Sequence, residues 1–275
     1  MSSRSPSPDS DLSESPPKLD PSVLALLNQF ITEREDEERR FKALEAEHVA
    51  ATIAGVTGAG PDDEEKGADI PIVSLAEYKK TFGEDWQLSQ FWYSDSFATR
   101  IAEAIHAQCS ENTRIAFLCC PTAFVAFQNV NQLKDAYVFE VDQRFAVLSP
   151  RQYIFYDLDE PDTFPERFRH YFDFVVVDPP FLNEVTNKKV LTTLRQIMKS
   201  KDSKLLLLTS TSVEDVVKQV YDEPPVGPLK RTALLVEHGQ LANDFASWGS
   251  WEGAENFGNQ LPRSGLSYPL DTNTH

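Results

Sequence analysis

Residues 172–181 read FDFVVVDPPF, an apolar run that ends in Asp178, Pro179, Pro180 and Phe181. Such a nearly continuous run fits a strand that is buried on both faces, because a half-exposed strand would alternate apolar and polar residues. The two prolines end the strand sharply, since each lacks a backbone donor and has a fixed φ. The stretch therefore predicts a central strand of a covered sheet, with chemically useful groups directly after it.

Apolar runs and helical segments alternate on both sides of this strand. The other predicted strands are 114–120, 136–142, 152–157 and 204–210, with a last strand pair near 230–238 and around 245–252. The predicted helices are 94–108, 122–133, 166–171, 184–199 and 212–221. Strands separated by helices form a parallel sheet with helices on both faces, so the sequence predicts a doubly wound α/β fold. Such sheets bind ligands beyond the carboxyl ends of their strands.

The composition divides the chain into five segments. Residues 1–20 are rich in Ser, Pro and Asp and predict a disordered tail. Residues 21–53 predict a charged helical arm with Val23, Leu24, Leu27, Phe30 and Ile31 at helical spacing, and 54–70 predict an acidic, glycine-containing linker. The main domain is predicted over 71–252 and a C-terminal tail over 253–275. The arm is interpreted as a solvated helix or as a docking element for a basic partner.

The overall charge favours some partners and disfavours others. The chain has 26 Lys and Arg against 43 Asp and Glu, a net charge of −17. A field of this sign repels phosphate and anionic membranes and attracts basic proteins. The sequence contains no apolar run long enough to span a bilayer, and its N-terminus lacks a secretory signal, so a cytoplasmic protein is expected. Cys109, Cys119 and Cys120 predict neither a disulfide framework nor a metal site.

Acidic residues stand at the ends of three predicted strands. Asp178 and the Pro179 carbonyl can accept hydrogen bonds from an N–H donor, with Phe181 as an aromatic wall. Glu140 and Asp142 end the second strand, where a carboxylate commonly binds a ribose diol. Asp142 is preferred because it lies nearer the strand tip, although a solvated loop acid is the alternative. Asp157, after the third strand, is placed to meet an adenine amino group.

The turn after the first strand reads Cys119-Cys120-Pro121 and has no glycine. A dinucleotide pyrophosphate requires close backbone approach at this turn, so NAD and FAD are disfavoured. S-adenosylmethionine has no phosphate, and its carboxylate can meet the amides at the start of the next helix. Upstream, the aromatic segment Gln90-Phe91-Trp92-Tyr93 is either a packing cluster or a wall beside a cationic cofactor. His238 and the other histidines receive no role.

Several separated motifs carry a resemblance to a known family. WQLSQFWYSD (86–95), FEVDQRF (139–145), FYDLDEP (155–161), VVVDPPF (175–181) and ANDFASW (242–248) occur in the order in which they occur in that family. The chain resembles the eukaryotic elongation factor 1-alpha lysine methyltransferases of the N6-adenine-methyltransferase-like group, from about residue 22 to 252.

This resemblance implies a seven-stranded S-adenosylmethionine-dependent methyltransferase, a lysine of elongation factor 1-alpha as substrate, and a cytoplasmic location. It assigns methyl-acceptor contacts to Asp178–Phe181. It assigns cofactor contacts to Gln90, Phe91, Trp92 and Tyr93 and to the region of Asp142. The Cys120-Pro121 turn and Asp157 are predicted as cofactor contacts from their positions after the first and third strands.

Two alternatives to a lysine methyltransferase remain. An N6-adenine methyltransferase of nucleic acid would need a basic groove, and the acidic sequence offers no evident one. A non-catalytic adaptor that keeps the fold without the cofactor would explain the glycine-free turn. In the preferred mechanism Asp178 orients the target amine and does not act as a general base.

Overall fold

A computed structural model of the chain describes residues 20–58, 73–85, 90–147, 149–239 and 244–259, without the side chains of residues 48–58. Residues 1–19, most of the predicted linker, residues 86–89 and 242–243 of the family motifs, and residues 260–275 lie outside the described part. No helix within the described part is both long and apolar enough to cross a bilayer.

Seven strands form one sheet in the order β3-β2-β1-β4-β5-β7-β6. The strands are β1 (Ile115–Leu118), β2 (Ala136–Glu140), β3 (Tyr153–Phe155), β4 (Phe174–Val177), β5 (Lys204–Ser210), β6 (Lys230–Arg231) and β7 (Phe245–Gly249). The first five are parallel, and β7 runs antiparallel between β5 and β6. The prediction of a doubly wound, mostly parallel α/β sheet is confirmed.

Three of the six helices that the structure describes follow strands β1, β4 and β5, as the alternation predicted, and the other three precede β1. The helices are α1 (Pro21–Gly58), α2 (Leu75–Thr81), α3 (Asp95–His106), α4 (Pro121–Val130), α5 (Glu184–Ile197) and α6 (Glu214–Val220). The Ser94 hydroxyl caps α3 by accepting the Phe97 N–H at 3.2 Å, and the Asn183 side chain caps α5.

Three local predictions were wrong. Residues 166–171 form only a short 3-10 helix over Glu166–Phe168, because His170 takes a positive φ of 49° that an α-helix does not admit. The predicted strand 230–238 is reduced to Lys230–Arg231. Helix α1 continues to Gly58, so the first residues of the predicted linker are helical. Helix α2 was not predicted, because its seven residues are too few for a clear hydrophobic period.

The two faces of the sheet are covered by different helices. Side chains of β1 alternate between them: Phe117 packs toward the face covered by α3 and α4, and Leu118 toward the face with α5 and α6. Each strand of the centre is therefore apolar at every position, which explains the unbroken run in β4. The aromatic segment 90–93 and the arm join the first face through Tyr78, Phe82 and Phe145.

Candidate active site

A cavity of about 680 Å³ lies at the carboxyl ends of β1 to β4. All site residues predicted from the sequence except Asp142 line it, namely Gln90, Phe91, Trp92, Tyr93, Cys120, Pro121, Asp157, Asp178, Pro179, Pro180 and Phe181. Parallel strands end at one edge of a sheet, so residues far apart in sequence meet there. Its size lies within the usual range for small-molecule sites.

Asp178 is held by a tyrosine from the aromatic segment. The Tyr93 hydroxyl donates a hydrogen bond of 2.6 Å to Asp178 Oδ2. Burial raises the pKa of Asp178 to about 7, and the Tyr93 hydrogen bond opposes part of that rise. Burial also raises the pKa of Tyr93 well above its ordinary value, so this hydroxyl keeps its proton. One carboxylate oxygen is thus fixed by Tyr93, and the carboxylate can still accept a donor in the cavity.

The two acids after β2 occupy different places. Glu140 is 5% exposed and lines the cavity, and its Oε1 accepts the Val141 N–H at 3.0 Å. Asp142 does not line the cavity. Its carboxylate instead pairs with the Arg144 guanidinium at 2.6 Å. Asp142 also accepts a 3.4 Å hydrogen bond from Gln90 Nε2. Glu140 and Val141 are therefore the residues after β2 that line the cavity, and a direct cofactor contact of Asp142 stays a prediction.

Burial also changes the ionisation of the Glu140 carboxyl group. It raises the pKa of Glu140 to about 7, against the effect of hydrogen bonds from the backbone of Asp142 and Val141. A carboxylate that is poorly solvated in the free protein gains most from hydroxyl donors of a bound ligand.

The glycine-free turn after β1 adopts a conformation that glycine usually supplies. Cys119 has a positive φ of 56°, and Pro121 begins α4. Left-handed backbone at a non-glycine residue costs about 1–2 kcal/mol. Cys119, Cys120, Pro121 and Thr122 all line the cavity. No side chain caps the first turn of α4, so its backbone amides are left for an anionic group.

The aromatic segment packs against the core and also lines the cavity, and its role beside a cationic cofactor stays a prediction. The Trp92 indole N–H donates to the Phe82 carbonyl at 2.9 Å, and its ring packs on Tyr78 at 5.2 Å. Trp92 is therefore a packing residue that also forms part of the cavity wall. Gln90 is only 7% exposed, and its Oε1 has no hydrogen-bond partner among the described residues. The Gln90 side chain lies beside the two acids after β2, since it is hydrogen-bonded to Glu140 and its Nε2 donates to Asp142 Oδ2 at 3.4 Å.

Sequence reasoning missed His238 and Phe245, which complete the wall. Their rings lie 4.2 Å apart, and the His238 ring is 5.2 Å from that of Tyr93. Burial lowers the pKa of His238 to about 4, so it is neutral at physiological pH. Nothing in the local sequence around His238 indicates this, because only sheet topology brings it beside Tyr93.

These residues fit S-adenosylmethionine. Glu140 would accept hydrogen bonds from the ribose hydroxyls, and the first backbone amides of α4 would donate hydrogen bonds to the carboxylate. Asp157 lines the same cavity, although its Oδ1 accepts the Asp159 N–H at 2.8 Å. Within the described ranges no group of His, Cys, Asp or Glu is arranged to hold a metal ion. The fold and site together define an S-adenosylmethionine-dependent methyltransferase.

Comparisons with known proteins agree with this class. The sequence model of a family described as "Probable N6-adenine methyltransferase" matches residues 84–253, and the chain belongs to that family. Protein-lysine N-methyltransferase EFM5 of Saccharomyces cerevisiae is 30% identical over 85% of this chain and 92% of its own length. EEF1A lysine methyltransferase 1 of Mus musculus is 36% identical over 62% of this chain and 76% of its own. The chain is an enzyme of this protein-lysine N-methyltransferase group.

A solved structure supports the fold alone. The branched-chain polyamine synthase C9 mutein from Thermus thermophilus, in complex with N4-aminopropylspermidine and 5'-methylthioadenosine, aligns with a TM-score of 0.50 and 14% identity. The alignment covers 64% of this chain and 61% of that one.

Proposed function

We propose that this chain transfers a methyl group from S-adenosylmethionine to the side-chain nitrogen of a lysine in translation elongation factor 1-alpha, in the cytoplasm. The observation that carries the proposal is the Asp178 carboxylate at the cavity wall, fixed by Tyr93 and followed by Pro179, Pro180 and Phe181. The names of the relatives support the lysine and the protein substrate.

Bound S-adenosylmethionine supplies an electrophilic methyl group at this site. The chain's own residues must present a neutral amine, because an ammonium nitrogen has no lone pair. Free lysine has a pKa of about 10.4. Entry into an apolar passage lowers it, and the proton leaves to solvent. Phe181, which is 47% exposed at the cavity rim, would pack against the aliphatic stem.

Asp178 would orient the amine by accepting one of its N–H bonds. Its pKa of about 7 means that the carboxylate form is well populated at slightly alkaline pH. A carboxylate beside an amine favours the protonated amine, so its role is positioning and not proton removal. Positioning of the nitrogen lone pair is where most of the rate gain arises.

An adenine base is the second candidate substrate, because the family description names it. An exocyclic amine could meet the same Asp178 carboxylate. The net charge of −17 disfavours it, since a nucleic-acid enzyme must hold phosphates.

One experiment separates these candidates. The full chain is incubated with labelled S-adenosylmethionine and either elongation factor 1-alpha or DNA. We expect label in the protein, none in DNA, and loss of nearly all transfer in Asp178→Ala with cofactor binding retained. Label in DNA alone would overturn the proposal. Calorimetry with the cofactor tests the adaptor alternative, which requires that no binding occurs.

A further inference from the structure

The N-terminal half of α1 has an apolar face that no described residue covers. This face, called the arm face here, consists of Val23, Leu24, Leu26, Leu27, Phe30 and Ile31, each between 42% and 67% exposed. Single exposed apolar side chains are ordinary in proteins, but six on neighbouring turns form a patch that marks an interaction site.

The arm face continues the side of α1 that packs on the domain. Further along the helix, Phe41 packs on the Phe82 ring at 6.0 Å and Leu44 is 7% exposed. Val23 and Leu26 each precede one of these residues by eighteen positions, which is about five helical turns. They therefore lie on the same lines along the helix. The arm face thus lies on the same side of α1 as the residues that pack on the domain, and it is N-terminal to them.

The part of α1 around Arg40 and Phe41, which packs on the domain, is connected to the cavity wall. Phe82, which contacts Phe41, accepts the Trp92 indole hydrogen bond at 2.9 Å, and Trp92 lines the cavity. Arg40 also donates to the Lys80 carbonyl at 2.9 Å, which fixes α1 on α2. The packing of α1 around Phe41 is therefore connected to the cavity wall through Phe82 and Trp92.

Charge selects the kind of macromolecule. Directly after the arm face, residues 33–42 read EREDEERRFK, with five acidic and four basic residues, and three of the acids pair with Arg34, Arg39 and Lys42. The charge that acts on a partner is therefore that of the whole chain, −17. A second copy of the chain would bring its own net charge of −17 against this one. Nucleic acid and anionic membranes are repelled in the same way. A basic protein is attracted, and its apolar surface can then cover the arm face.

We propose that the arm face is a docking surface for the basic folded protein that carries the target lysine. This inference rests on the proposed function. It makes α1 a second contact region, separate from the cavity, which increases affinity for the folded substrate without touching the reacting atoms.

The test uses the full chain with Leu27→Ser and Phe30→Ser combined. Both side chains are exposed, so the thermal unfolding midpoint should stay near that of the wild type. Binding of elongation factor 1-alpha by biolayer interferometry and methylation kinetics are measured for each protein. We expect the Kd and KM for the folded factor to rise at least tenfold, with kcat unchanged. A short peptide containing the target lysine should be methylated equally by both.

Val130→Ser is the matched control, because Val130 is 45% exposed at the end of α4, away from the carboxyl edge of the sheet. It should leave both constants within about twofold. An equal KM for the folded factor in the double variant and the wild type would overturn the docking proposal while leaving the proposed function intact. So would light scattering that shows the double variant losing a dimer without a change in KM. A wild-type chain that neither binds nor methylates the factor overturns both proposals.

Discussion

Asp178 is buried at the position where we expect it to contact the substrate amine, and this burial affects the stability of the fold. Its pKa is raised in the folded state from 3.8 to about 7 by burial, so the folded protein holds this proton more tightly than the unfolded chain does. The stabilisation from this proton is therefore present at low pH and is lost as the pH rises from about 4 to about 7. At pH 8 the buried carboxylate lowers the free energy of unfolding.

We predict that Asp178→Asn is inactive yet more stable than the wild type at pH 8. The full pKa difference corresponds to about 4 kcal/mol, an upper limit because Asp178 is partly reached by solvent. We expect about 1–3 kcal/mol, measured as a rise of several degrees in the unfolding midpoint, and no gain at pH 4.

Asp173→Asn is the control, because its expected effect on the free energy of unfolding is opposite to that of Asp178→Asn. Burial raises the pKa of Asp173, but hydrogen bonds from Lys199 and Arg114 outweigh it and lower the pKa overall. Its replacement should destabilise the protein at pH 8. An unfolding midpoint of Asp178→Asn below that of the wild type at pH 8 would contradict the assigned pKa.

Glu140 and Asp142 can be separated by cofactor binding. We predict that Glu140→Gln weakens S-adenosylmethionine binding at least tenfold at pH 8 by calorimetry, because the ionised carboxylate is the stronger acceptor for two hydroxyls. Wild-type affinity should rise with pH through about 7, as Glu140 and Asp178 ionise, and Glu140→Gln should keep only the part of this rise that comes from Asp178.

Asp142→Asn is the comparison for that measurement. Its carboxylate is occupied by Arg144, so we expect a lower unfolding midpoint and cofactor affinity within about threefold of the wild type. A larger loss of affinity in Asp142→Asn than in Glu140→Gln would restore the sequence-based preference for Asp142.

At the scale of elements, the segment that carries His238 is fixed to the start of α3. Arg100 pairs with Glu237 at 2.9 Å and donates to the Leu235 carbonyl at 3.0 Å. The Ser94 N–H donates to the Glu237 carbonyl at 3.0 Å, and the Gly239 N–H donates to the Trp92 carbonyl at 3.1 Å. These bonds place the His238 ring against Tyr93, so α3 positions one wall of the cavity.

We predict that Arg100→Met loosens this wall. Hydrogen exchange of residues 234–239 should become faster, and the KM for cofactor or substrate should rise severalfold, because two polar anchors are lost while the packing of the stem is kept. Arg195→Met is the control, since the Arg195 guanidinium pairs with the exposed Glu223 at 4.0 Å, on another part of the surface. Unchanged exchange in Arg100→Met would show that the backbone bonds alone hold the segment.

At the scale of the whole molecule, the acidic field should govern encounter with a basic substrate. We predict that kcat/KM for elongation factor 1-alpha falls severalfold between about 50 and about 300 mM salt, because screening shortens the range of attraction. A short uncharged peptide around the lysine should show little change. Salt-independent kinetics with the folded factor would remove the electrostatic part of the proposal.

The order of the strands in the chain could be read from the sequence, and so could most of the residues that line the cavity. The apolar run of β4 could only be buried on both faces, and its Asp-Pro-Pro-Phe ending could only lie at the carboxyl edge of a parallel sheet. Local chemistry of this kind is readable because strand periodicity and proline geometry do not depend on distant residues. The helix bounds were predicted less well, as the short 3-10 helix at Glu166–Phe168 shows.

The fold was needed to show which acid after β2 lines the cavity, and which distant residues complete its wall. Glu140 and Asp142 are two positions apart in a strand and would share a face, but the chain leaves the strand between them. Tyr93 reaches Asp178 across 85 positions of sequence, and β7 runs back beside β5, so that Phe245 and His238 close the wall. Such contacts depend on the order and direction of the strands in the sheet, which no local sequence pattern encodes.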